Sequence, residues 1–350
     1  MTRISGTRAF RPGALAALAL AALACSACAA QAGGFHGVVT QGSLEPDDYG
    51  RMASGKVGTL RVALRWSGVQ PSADTPVEAW TWGAYDAVIG SAADHGIRVL
   101  PVLDAPSPSG VPDPPTTKSA RRKFAKFAGE VAVRYGRGGS FWDGRPALPI
   151  KAWQIYNEQN GPAYWRGKPN PRTYGRILRS ASQAIEREDP RAEIVLGGMF
   201  STPSGRGAIN SWNYLKRLYE VKKIKRAFDT VAVHPYSSSL RGISYQVRKV
   251  RNVMRSKHDR GADLRITEFG WGSARHGNLN LGRKGQARML KQAFRLFEGH
   301  RGAWNLKGVN WFSFQDNPAG GCSFCPTSGL FEADRDPKPS WRAFKRIARQ

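Results

Sequence analysis

Three observations predict an α/β fold, a (β/α)8 TIM barrel built as a single catalytic domain. Eight short apolar runs are rich in β-branched residues, and segments of helical periodicity separate them. Some 318 residues remain once an N-terminal leader is set aside, and one α/β barrel commonly runs past ~250 residues as one domain. Strands that alternate with helices form a parallel sheet with crossover helices, and eight such units are the number that closes.

The chain opens on the leader. Arg3, Arg8 and Arg11 precede an uncharged apolar run from Ala14 to Ala24, and small residues Ala30-Gln31-Ala32 follow. This is the pattern of a secretory signal peptide over residues 1–32, with cleavage expected after Ala32. The run stops short of the ~20 apolar residues of a membrane helix. No later segment is apolar long enough to span a bilayer, so the mature part, 33–350, is expected to be exported and soluble. Ala22-Leu23-Ala24-Cys25 partly matches a lipoprotein site, but Ala22 stands where a lipobox usually has leucine. Free export is therefore favoured over a tether through Cys25.

The strands are expected at 37–40, 60–66, 98–103, 150–156, 193–197, 230–234, 264–267 and 308–313. Between them, Ala120, Phe124, Phe127, Ala128 and Val131 share one helical face, as do Leu290, Ala293, Phe294 and Phe297. Such stripes cover the outside of a barrel, while alternating strand residues such as Val62 and Leu64 belong to the core. The Pro-rich stretch 106–115 reads as a strand-to-helix loop, on the face where this fold carries its active site. Lys216 to Arg226 reads as the outer face of a helix, and 337–348 as a closing helix. No internal repeat or Ser/Gly linker divides the chain after Phe35.

The formal net charge is +27, from 53 Lys and Arg against 26 Asp and Glu. Removal of the three leader arginines leaves +24. Such a field favours anionic partners, such as acidic wall polymers or anionic polysaccharide, although a merely solvated basic surface reads equally well. No stacking aromatics interleave the basic stretches and no nucleic-acid module accompanies them, so no nucleic-acid partner is expected. After the leader two cysteines remain, Cys322 and Cys325, and an oxidising compartment favours a disulfide between them. A zinc site needs two further ligands close by, and His276 and His300 lie in segments of helical or loop character. No metal is expected.

The chemistry-bearing residues stand at strand ends. Ala152-Trp153-Gln154-Ile155-Tyr156-Asn157-Glu158 is an apolar run closing on Asn-Glu where the fourth strand hands over to its loop. Leu264-Arg265-Ile266-Thr267-Glu268 does the same three strands later. Carboxyls there face the catalytic mouth of a barrel, and two of them across a cleft are what glycoside hydrolysis uses. One protonates the leaving oxygen and the other attacks the anomeric carbon. A lone strand-end glutamate is ordinarily a surface ion-pair partner, but the matched pair with Asn157 before the first argues against that reading.

These motifs resemble the clan of retaining β/α-barrel glycoside hydrolases that includes families 5, 39 and 42. The resemblance implies Glu158 as acid/base on strand 4 and Glu268 as nucleophile on strand 7. It further implies that Asn157 bonds the sugar 2-hydroxyl and that Arg61, in Leu60-Arg61-Val62-Ala63, sits beside the nucleophile. His234 and Tyr236, in His234-Pro235-Tyr236 after strand 6, would contact substrate or nucleophile. Trp311 on strand 8 would stack on sugar. Gln159 stands where many relatives carry proline, and Asn160 restores the similarity. The stretch from Gln154 to Trp165, with Thr267-Glu268-Phe269-Gly270, is most similar to family 39, which mixes exo-acting glycosidases with endo-acting polysaccharide hydrolases.

Each residue also has a plainer reading. His234 can be a satisfied buried histidine, Trp311 a core tryptophan, and Arg61 a barrel-lining structural group. Trp66, Tyr164 and Trp165 are candidate subsite aromatics. Asp104 and Asp316 either bind hydroxyls or cap loops. There is no His/Cys cluster with metal spacing, no phosphate-binding glycine loop and no Gly-x-Ser-x-Gly elbow, and no cofactor is implied. The expected protein is thus a secreted, monomeric retaining glycoside hydrolase acting on a poly- or oligosaccharide. The alternative is a carbohydrate- or wall-binding barrel without efficient turnover, against which the intact carboxyl pair counts.

Overall fold

A computed structural model describes residues 34–203 and 205–349. The signal-peptide and Cys25 readings fall outside these described residues. The strands are β1 (His36–Val39), β2 (Thr59–Arg65), β3 (Arg98–Asp104), β4 (Ala152–Asn157), β5 (Glu193–Phe200), β6 (Thr230–His234), β7 (Asp263–Phe269) and β8 (Leu306–Phe312). They pair in sequence order, all parallel, and β8 returns to β1, closing the barrel. The helices are α1 (Pro46–Ser54), α2 (Trp66–Val69), α3 (Gly83–Asp94), α4 (Lys118–Tyr135), α5 (Pro162–Trp165), α6 (Pro171–Glu188), α7 (Ser211–Leu218), α8 (Leu240–Ser256), α9 (Gly282–Gly299) and α10 (Pro339–Ala348).

All eight expected strands form, with ends set by backbone pairing. The N–H of Ile150 goes to the Tyr135 carbonyl at the end of α4, so β4 starts later than its apolar run. Trp66 leaves β2 to open α2, and its indole N–H donates to Gln70. The stretch from Lys216 to Arg226 is not one helix face: it is split between the end of α7 and a separate 3-10 turn at Ile224–Ala227. Side chains of Thr117, Asn170, Asn210 and Ser239 cap the first turns of α4, α6, α7 and α8, each worth about 1 kcal/mol.

The core has two parts because strand side chains alternate. Outward residues such as Trp153, Ile194 and Val231 pack under the helices with Phe124, Phe127, Phe294 and Phe297. Leu100, Val195 and Ala232, each next to an outward residue on its strand, form a separate small cluster with Ala152 against it. They fill the barrel's interior at its lower end, below the polar side chains of the C-terminal mouth. Among the described residues no helix is long and apolar enough to cross a membrane. The expected disulfide joins Cys322 and Cys325, in the loop between β8 and α10.

Candidate active site

The strands bring five of the seven sequence-predicted functional residues outside the disulfide around one point and add a sixth at its edge; Arg61 reaches it from within β2, the others from strand C-terminal ends or just beyond. At the end of β4 the backbone is left-handed at Tyr156 (φ 74°) and Glu158 (φ 42°). Such a conformation costs roughly 1–3 kcal/mol per non-glycine residue and persists only where its surroundings enforce it. The turn swings the Glu158 carboxyl into the mouth, where it meets the carboxyl presented by the end of β7. One ligand atom each from Glu158, His234 and Glu268 lie within 4.8 Å of one another.

The two carboxyls have different surroundings. Arg61 donates to Glu268 Oε1 at 2.6 Å, and the Tyr236 hydroxyl donates to Oε2 at 3.0 Å. Arg61 is itself fixed by Gln154 (2.7 Å) and Asn157 Oδ1 (2.8 Å), so its fork is used up within the barrel. Burial alone would raise the pKa of Glu268. His234 and Arg61 nearby, together with the bonds from Tyr236 and Arg61, overcome this and hold it below the ordinary glutamate value. Glu158 has one protein partner, His234 Nδ1 at 2.8 Å. Its burial, reinforced by the Glu268 charge, wins over His234 and Arg61 and raises its pKa. The result is a carboxyl biased toward its acid form beside one biased toward its anion, which is how one site supplies both an acid and a nucleophile.

His234 is buried and bridges the pair to β7: its Nε2 lies 3.0 Å from the Thr267 hydroxyl, which Gln154 also approaches. The ring fits only because β5 carries Gly198, where a Cβ would overlap it. Thr267 and Gln154 were not singled out by the sequence reading. Their signal is a polar residue inside an otherwise apolar strand run.

The structure corrects Trp311. It is fully buried on the outward side of β8, with its ring 5.4 Å from Phe269 and 6.1 Å from Trp271 and its indole N–H on the Ser328 carbonyl. Strand alternation gives the next residue the opposite face. Phe312 is half-buried and edge-on to Tyr236 at 6.4 Å, with Phe324 of the disulfide loop 6.3 Å away. Phe312 and Phe324 are therefore the aromatic wall beside the carboxyls. Two of the three other aromatics are corrected likewise: Trp66 packs against Phe124 and Phe127, and Trp165 lies between Tyr156 and Tyr174. Tyr164 stays 45% exposed, within electrostatic reach of Glu158 and Glu268.

Asp104, at the end of β3, accepts the Ala105 N–H, and burial pushes its pKa up to about 7. Asp316 is structural: it pairs with buried Lys338 at 2.6 Å and accepts the Gly329 N–H. The clustering of Glu158, His234 and Glu268 is a potential metal set that spacing along the chain does not reveal. A cation does not fit it. Arg61 and Tyr236 already hold both Glu268 oxygens, and a metal ion would sit against the guanidinium and break the His234–Glu158 contact.

Comparison with known proteins gives the fold a context. No family model matches the sequence, and no curated protein matches it. Solved structures do. A family 39 glycoside hydrolase from Bacteroides cellulosilyticus WH2 superposes with a TM-score of 0.63 at 18% identity, covering 89% of this chain and 63% of that one. A monomeric β-xylosidase from Caulobacter crescentus CB15 gives 0.63 at 16%, covering 89% and 67%. An intracellular xylanase from Thermoanaerobacterium saccharolyticum gives 0.61 at 15%, covering 88% and 94%. The chain thus spans less than two-thirds of the length of the family 39 structure but nearly all of the xylanase. At these identities the likeness establishes the (β/α)8 barrel.

Proposed function

We propose that the chain is a retaining glycoside hydrolase of the family 39 kind, in which Glu268 attacks the anomeric carbon and Glu158 protonates the leaving oxygen. The observation that carries this reading is the unequal pair: an oxygen of each carboxyl lies within 4.8 Å of the other, one held ionised by Arg61 and Tyr236 and the other raised by burial. Retaining enzymes place their carboxyls ~5–5.5 Å apart, whereas inverting ones need room for a water between them. In the first step the Glu268 oxygen forms the glycosyl ester as the C–O bond to the leaving group breaks, and Glu158 gives up its proton. In the second step Glu158 takes a proton from water, the water oxygen attacks the anomeric carbon, and Glu268 is released as the anion. Asn157, held by Arg61, is placed to bond a sugar hydroxyl, and Phe312 is the apolar face for the ring.

We further propose export of the mature chain as a monomer, directed by the leader at 1–32, with a poly- or oligosaccharide substrate. The net charge, +27 for the whole chain and +24 without the three leader arginines, supports a preference for anionic or cell-envelope glycans through electrostatic steering. The test is a panel of 2-deoxy-2-fluoro glycosides with activated leaving groups, followed by peptide mass spectrometry. A covalent sugar on Glu268 is expected. A label on any other carboxylate, or glycan binding with no label from any sugar in the panel, would count against the assignment.

A further inference from the structure

The opposite, N-terminal mouth of the barrel contains a cavity of about 330 Å³. Its floor is the lower interior layer, with Leu100 and Ala152. Its wall carries Arg98, Lys151, Arg265, Arg301 and Lys307 against, among the described residues, a single acid, Glu193. That acid is already committed within the protein. Arg265 reaches it at 3.1 and 3.3 Å, Lys307 at 3.1 Å, and the Thr230 hydroxyl donates to it at 2.7 Å. Burial alone would raise the Glu193 pKa, but Arg265, Thr230 and Lys307 bring it down to about 2, so it is an anion at any working pH. Asp263 meets Lys307 at 2.9 Å, so that, Arg98 aside, Glu193 and Asp263 face Lys151, Arg265, Arg301 and Lys307.

The backbone makes room for these charges. A Cβ on Gly34 would stand 2.9 Å from an Arg98 guanidinium nitrogen, and one on Gly308 would stand 2.8 Å from an Arg265 nitrogen. Cations gathered in a concave site repel one another and focus a positive potential into the cavity. An anion placed among them relieves that repulsion, and arginine forks with lysine suit a tetrahedral oxyanion. The cavity is at the lower end of the size range of small-molecule sites, enough for such a group with one attached unit.

We propose that this cavity binds a phosphate- or sulfate-ester group, separate from the carboxyl pair at the other mouth and independent of the function proposed for it. Titration calorimetry with pyrophosphate, inorganic sulfate and acetate, at ionic strength fixed by sodium chloride, tests the idea. The wild-type protein is expected to bind pyrophosphate or sulfate saturably at one site. Lys151→Gln/Arg301→Gln, which changes two exposed side chains, should weaken that binding at least tenfold, and Glu268→Gln should bind as wild type does. Lys151→Glu alone serves if the double variant fails a circular-dichroism check of folding. Phenyl phosphate and phenyl sulfate, titrated in the same way well below the second phosphate pKa of about 6, where both are close to monoanionic, tell the two ester classes apart by which binds tighter. No saturable binding, an affinity unchanged by the wall variants, or acetate binding as tightly as pyrophosphate or sulfate would overturn the proposal.

Discussion

Each mouth of the barrel holds a glutamate paired with an arginine, and the two pairs differ in what else is present. At the C-terminal mouth, Arg61 and Tyr236 hold Glu268 ionised next to a second carboxyl, Glu158, whose main partner is a histidine. At the N-terminal mouth, Arg265, Lys307 and Thr230 enclose Glu193, with no second carboxyl on the cavity wall among the described residues. The first pair keeps a carboxyl biased toward its acid form beside one biased toward its anion; the second fixes strand ends beside further positive charge. The residue types are the same, and the neighbours decide which is reactive.

The comparison breaks most sharply at the reactive pair. Glu268→Gln should remove turnover on every accepted glycoside, by roughly 10⁴-fold or more, while the barrel stays folded. Steady-state rates alongside a thermal melt check this, and full residual activity would end the nucleophile assignment. Glu158→Ala should slow substrates with poor leaving groups by about 10²–10⁴-fold and activated aryl glycosides far less. The pH profile sharpens the same point. Wild-type kcat/KM should fall on the acid side as Glu268, with its lowered pKa, gains a proton, and on the alkaline side as Glu158, with its raised pKa, loses one. Glu158→Ala should lose the alkaline limb; an identical limb would mean that another group sets it.

Two neighbours on β8 provide a smaller contrast. Trp311→Ala empties a fully buried site and should cost about 3–5 kcal/mol in denaturant unfolding, whereas Phe312→Ala should cost much less and act on kcat/KM. Equal stability losses would show that both rings are core. The smallest effect is expected at the other mouth, where Glu193→Gln takes the carboxylate partner from Arg265 while Lys307 keeps Asp263, and should destabilise by about 3 kcal/mol with kcat/KM unchanged. Because folding lowers the Glu193 pKa to about 2, its contribution is complete above the unfolded-chain value of about 4.3 and fades as pH falls toward 2. The gap between wild type and variant should shrink over that range in acid-dependent melts. A gap that widened would reverse the sign of the linkage.

The order of apolar runs determined the barrel, because alternating strand and helix patterns admit few closed parallel arrangements. Strand-end position likewise picked out Glu158 and Glu268, with Asn157 beside the first, since polar groups closing an apolar strand must emerge at the mouth; Arg61, His234 and Tyr236 came from the family resemblance, not from their place on a strand. Trp311 shows where that reasoning ends. An aromatic at the end of a strand faces cleft or core according to a register shift of one residue, and the pairing of β8 with β7 and β1 fixes that register. The same holds for Thr267 and Gln154, whose partners lie on other strands, and for the cations gathered at the lower mouth from around the starts of β3, β4, β7 and β8. The sequence by itself determined which elements form and which of their ends carry charge. Only the tertiary structure decided which side chains share a cavity, because burial, field and hydrogen bonding come from residues far apart in the chain.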